Sequence, residues 1–104
     1  MKATRETIPT LVRNREQFVN GSGTLRGMKN PLPTTVRRYV LMGGLDEDEA
    51  QTLQAHSDEG LTYLVVSFKM PIAWETESGI VHIVEQPLTQ TSSRHRELVL
   101  TLRE

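Results

Sequence analysis

The sequence predicts an α+β domain: a small antiparallel sheet with a central hairpin, one acidic surface helix and a C-terminal helix. Three observations carry this. Leu61 to Met70 places Leu64, Val66, Phe68 and Met70 on one side of an alternating run, the period of a strand. Asp46-Glu47-Asp48-Glu49 has the form of a helix start, a capping carboxylate followed three residues later by Glu. Thr91-Ser92-Ser93 offers hydroxyls ahead of a tail whose apolar residues suit a helix face. A length of 104 residues is one domain's worth, here residues 11–104 behind a loose terminus over residues 1–10.

In chain order, Leu11 to Val19 reads as a short strand or an irregular segment, and Asn20-Gly21-Ser22-Gly23 as a turn. Thr24 to Met28 and Val36 to Met42 read as short strands, and the prolines at 31 and 33 between them as breakers. The acidic helix begins at the Asp46 cap, with Leu45 placed for a hydrophobic staple and Glu49 able to reach back. Glu47, Asp48 and Glu49 suit the positive end of the helix dipole, and Gly60 ends the helix after about eleven residues. Leu61 to Met70 follows as the central strand. Pro71 breaks it, Ile72 to Trp74 resumes, and Glu77-Ser78-Gly79 turns into Ile80 to Glu85. That last strand is expected to pair with Leu61 to Met70. In the tail Leu98, Val99 and Leu102 share a helical face, whereas Leu98, Leu100 and Leu102 alternate as in a strand; the hydroxyl cluster favours the helix.

The chain carries no Cys, hence no disulfide framework, thiolate site or catalytic thiol, which suits a reducing cytoplasm. Its longest unbroken apolar runs, Tyr39 to Met42 and Tyr63 to Val66, are four residues each. That is too short for a membrane span or a signal-peptide core. A net charge of −1 conceals a division: residues 1–40 hold eight basic against two acidic side chains, and residues 41–90 one against nine. Two halves of opposite sign can neutralise each other within the chain or across a homodimer, or a basic arm can bind nucleic acid or an acidic partner. The basic stretch offers only Phe18 and Tyr39 for stacking, which weighs against a nucleic-acid platform.

The chemical motifs run against catalysis and cofactors. His56 lies near the end of the acidic helix, where the dipole favours a cation. His82 is expected to be a half-buried cross-strand partner, and no histidine pair has a metal-ligand spacing. A calcium loop from Asp46 would need Gly and Glu where Gln51 and Ser57 stand. Gly21 and Gly23 begin a dinucleotide fingerprint, but its third glycine position is Arg26. No G-x-S-x-G elbow is present. Catalytic, cofactor and metal residues are therefore expected to be none. Thr91, Ser92 and Ser93 followed by Arg94, His95 and Arg96 make a candidate anion site at a helix start, plain capping being the alternative. Phe18, Tyr39, Tyr63 and Trp74, with Arg37 and Arg38, are the candidate partner-binding residues, because aromatics and Arg dominate interface hot spots.

Tyr63-Leu64-Val65-Val66-Ser67-Phe68-Lys69-Met70-Pro71-Ile72-Ala73-Trp74, then Thr91-Ser92-Ser93-Arg94-His95, resembles a family of small proteins of actinobacterial phages, mycobacteriophages included. Members read roughly Tyr-x-Val-x-Ser-Tyr-x-Thr-Pro-Ile-Ala, then Thr-Thr-Ser-x-His at a helix start. Arg13 to Gly21 is similar to their N-terminal segment, and the stretches together span about half the chain. Phe68, Met70 and Ser92 depart from the usual Tyr, Thr and Thr. The resemblance implies a viral setting, an α+β fold, and a structural constellation of Ser67, Pro71, Ser93 and His95 linking strand, turn and helix. It brings no reaction. The expected function is a non-catalytic phage accessory protein in the host cytoplasm that binds a host or phage protein, with no membrane association. The alternative is a nucleic-acid module using the first forty residues and Arg94 to Arg96.

Overall fold

The computed structural model describes residues 2–104. Five antiparallel strands form the sheet: β2 (Phe18–Asn20), β3 (Leu25–Lys29), β4 (Leu61–Ser67), β5 (Met70–Thr76) and β6 (Val81–Ile83), in that order. A two-residue strand β1 (Lys2–Ala3) adds in parallel beside β2, after a crossover through α1 (Ile8–Arg13). Between β3 and β4 run α2 (Pro33–Met42) and α3 (Glu47–Glu59); after β6 come α4 (Gln90–Leu98) and a closing 3₁₀ turn (Leu100–Arg103). Among the described residues no helix is long and apolar enough to cross a membrane.

Both faces of the sheet are covered, which is why β4 is buried along almost its whole length. Tyr63, Val65 and Ile72 join Ile8, Val12, Val99 and Leu102 in one core. Leu64, Val66 and Trp74 join Val36 of α2 and Leu53 of α3 in the other. Alternate residues of β4 thus feed two cores, as a doubly covered strand requires. A register shift opposite Val65 and Val66 makes Ile72 the extra residue of a bulge, so Ile72 and Ala73 both reach the first core. Gly27 of β3 lies under Tyr63 and Phe18, and a Cβ there would run into the tyrosine hydroxyl and the phenylalanine ring.

Several expectations hold. The Asp46 carboxylate accepts from the Glu49 N–H at 2.9 Å, and Gly60, at φ 118°, ends α3. The turn after Thr76 leads into β6, where His82 faces Trp74 across the strands. The tail is helical, although its cap is Thr89 rather than Thr91. Others are corrected. The segment expected to be a loose terminus contains β1 and the start of α1, Ile8 being buried; Met1 lies outside the described residues. Leu11 to Val19 is divided between the end of α1 and the start of β2.

Val36 to Met42 is helix, not strand. Pro33 occupies the first turn of α2, where its missing N–H costs nothing, and Val36, Tyr39 and Val40 meet the core at helical spacing. Leu61 to Met70 is not one strand: it reverses at Phe68-Lys69, so β4 pairs with β3 and β5, and β6 pairs only with β5. Glu49 does not reach back to its cap. It accepts from the Glu85 N–H and bonds His82, while Gln86 Oε1 takes the Asp46 N–H.

Candidate functional site

The sequence-derived candidates separate into three groups. Tyr63 and Trp74 are fully buried and Phe18 nearly so, and Tyr39 is half-buried against the second core. The first three are therefore core residues, not surface anchors. Their alternation on strands is the alternation of a sheet with two cores. Burial holds the Tyr63 hydroxyl well above the ordinary tyrosine range, and it donates to the Glu16 carbonyl at 2.6 Å. Arg37 and Arg38 are exposed on α2. Among the described residues, one ion pair crosses between the basic and acidic halves: Arg15 bonds Glu75 through two nitrogens at 3.0 and 2.9 Å. That bonding, first of all, raises the Arg15 pKa. Among the described residues direct pairing of the two halves is confined to this pair, Arg13 bonds Glu104 in the tail, and Arg5, Arg37, Arg38 and Arg94 make no ion pair.

The hydroxyl and histidine group assembles where β4 meets α4. Ser67 Oγ lies 2.7 Å from His95 Nδ1 and 2.9 Å from Ser92 Oγ. All three residues are buried. Ser93 is half-buried and not among these contacts; Ser92 occupies the place the sequence assigned to it. Pro71 is buried against the loop at Gly43. Arg96 donates to the carbonyls of Val84 and Gln86, both at 3.0 Å, which ties α4 to the segment after β6 and takes it out of any anion site. Arg94 and Thr91 remain exposed.

The two contacts form one chain whose direction is set by the His95 tautomer, since either hydroxyl can donate and Nδ1 can donate or accept. Burial favours the neutral ring, lowering the His95 pKa from the ordinary 6.5. Ser67 has no exposed surface, yet with Ser92 it lines a groove that runs past Phe68.

The pH consequence follows from linkage. With the folded pKa of His95 depressed, the unfolded chain binds a proton that the folded chain does not, within the interval between the two values. The contribution is complete above the ordinary 6.5 and is lost as pH falls from there towards the lowered folded value. Melting curves between about pH 7.5 and about pH 5.5 should therefore fall more steeply for the parent than for His95→Asn. The substitution itself should lower stability by roughly 1–3 kcal/mol at neutral pH, because the buried Ser67 hydroxyl loses its partner. Parallel slopes for the two proteins would refute the assignment.

A second polar cluster joins α3 to the sheet. Trp74 Nε1 donates to His56 Nδ1 at 2.9 Å, the His82 ring stacks on Trp74 with centroids 4.7 Å apart, and His82 Nε2 lies 2.8 Å from Glu49 Oε1. His56 is thus held by a tryptophan N–H as well as by its place near the helix end. Among the described residues no three metal-ligating side chains converge.

Two surface features escaped sequence reasoning. Phe68, with φ 58°, sits in the two-residue turn between β4 and β5, 53% exposed, its ring 6.0 Å from that of His95. Beside it lies a groove of about 480 Å³ bounded by Gly43, Lys69, Met70 and Thr89, and Met42, next to Gly43 in the chain, is 70% exposed. On another side of α4 a cleft of about 540 Å³ opens between Ala3, Arg5, Ile8, Ser22, Arg94 and His95. The only signal for the first was a bulky residue standing where a tight turn prefers Gly or Asn, visible only once the turn is known. No family model, no curated protein and no solved structure matches the chain.

Proposed function

We propose that the chain is a non-catalytic binding protein that docks another protein through the surface around Phe68. The observation that carries this is the conformation of Phe68: an exposed phenylalanine held in the left-handed region, at φ 58°. Such a backbone costs a non-glycine residue about 1–2 kcal/mol. Here no buried side chain offsets it, and glycine would serve the turn better. Strain kept at an exposed aromatic residue is accounted for by an aromatic anchor. The groove beside the turn, with Met70 in its wall, extends the surface around Phe68, as the centre of an interface requires. In the setting implied by the phage resemblance, the partner is a host or phage protein met inside the host cell.

Phe68→Gly tests this. It relieves the turn and removes the anchor, so its melting temperature should equal or exceed the parent's while partner binding falls at least tenfold, about 1.4 kcal/mol or more. Tagged parent and variant are used to capture proteins from the lysate of an actinobacterial host, with and without nuclease, and captured species are measured for affinity. Equal capture by both chains would overturn the reading. Capture abolished by nuclease would replace it with nucleic-acid binding through the exposed basic residues.

A further inference from the structure

We propose that the cleft between β1, the β2–β3 turn and α4 binds a small organic monocarboxylate with an apolar body. This site is independent of the Phe68 surface, and its chemistry follows from what stands where. Ala3, Ile8 and Leu98 form an apolar floor, reached from the first core. Arg5 and Arg94, both exposed, stand on the rim and make no ion pair among the described residues. His95 lines the cleft as well, its ring held by the bond between Nδ1 and Ser67.

Buried hydroxyls hold the His95 ring in place at the edge of the cleft. Two guanidinium groups are donors only, which calls for an oxyanion. Glu97 lies on the same rim and repels a second negative charge, which favours a carboxylate over a phosphate monoester dianion. The floor takes carbon, not further charge. A volume of about 540 Å³ lies within the usual range for small-molecule sites.

Titration of the full chain with 3-phenylpropionate, followed by amide chemical shifts, tests the site. Saturable shifts are expected at Ala3 to Ile8, at Asn20 to Ser22 and at Arg94 to Leu98. Arg5→Gln and Arg94→Gln should each weaken binding about tenfold, as loss of a charge-assisted hydrogen bond implies, with melting temperatures unchanged. 3-Phenylpropionamide, of the same shape without the charge, and inorganic phosphate, charged without the body, should each bind at least tenfold more weakly. Equal binding of the amide, phosphate binding as tight as the carboxylate, shifts centred elsewhere, or no saturation by about 10 mM would each overturn the proposal.

Discussion

Val66→Asp abolishes the folded state. Val66 is fully buried in the middle of β4, paired with Arg26 of β3 on one side and Pro71 of β5 on the other. Its side chain faces the second core, with Leu64, Trp74, Val36 and Leu53, none of which carries a positive charge, and the one N–H among them, that of Trp74, is taken by His56. A carboxylate there loses its water without gaining a partner, which costs several kcal/mol even after its pKa adjusts. The buried valine methyls are lost as well, about 1.5–3 kcal/mol. A domain of this size has about 5–15 kcal/mol in all, so the sum removes most or all of it. The expected result is a chain with no cooperative thermal transition by circular dichroism. Val66→Ala, which costs about 2 kcal/mol through the cavity alone, should keep the transition at a lower temperature. An aspartate variant that melts within a few degrees of the parent would mean that β4 is not the centre of the sheet.

That centre was legible in the alternation of residues 61–67, and the physical reason is burial on both sides. The end of β4 was not, because the turn at Phe68-Lys69 carries none of the Gly, Asn or Asp that usually mark two-residue hairpins. Pro71 then looked like a strand breaker, although β5 accommodates it where it pairs with β4 and not with β6. The caps of α3 were legible because Asp46 and Gly60 act locally. Those of α2 were missed because Val36, Tyr39 and Val40 are as common in strands as in helices, and only packing against the second core decides.

The site was legible in part. Ser67 and His95 meet as the phage resemblance grouped them, and Ser92 takes the place expected of Ser93. The aromatic residues chosen as anchors are core residues, since residue type alone does not distinguish an aromatic that fills a core from one that meets a partner. The cleft was beyond reach of sequence. Its walls come from the first residues of the chain, a turn near residue 21 and the last helix, and only tertiary structure brings them together.

Trp74→Ala should cost the next largest amount, about 3–5 kcal/mol. The indole is fully buried in the second core, and its ring is layered with His82 at 4.7 Å and an interplanar angle of 29°. Truncation empties that volume and leaves His56 Nδ1 without its donor. For a domain of about this length each kcal/mol lowers the melting temperature by about 4–8 °C, so a fall of roughly 12–40 °C is expected. Trp74→Phe goes far towards separating body from bond, because it keeps most of the apolar contact while removing the N–H. Its cost should be smaller, about 1–2 kcal/mol. Combining it with His56→Ala closes a double-mutant cycle that isolates the indole–imidazole bond, with an expected coupling near 1 kcal/mol. Strict additivity would show that α3 is held against β5 by packing alone. A Trp74→Phe variant as unstable as Trp74→Ala would show the reverse, that the buried hydrogen bond and not the ring's volume is what the second core depends on.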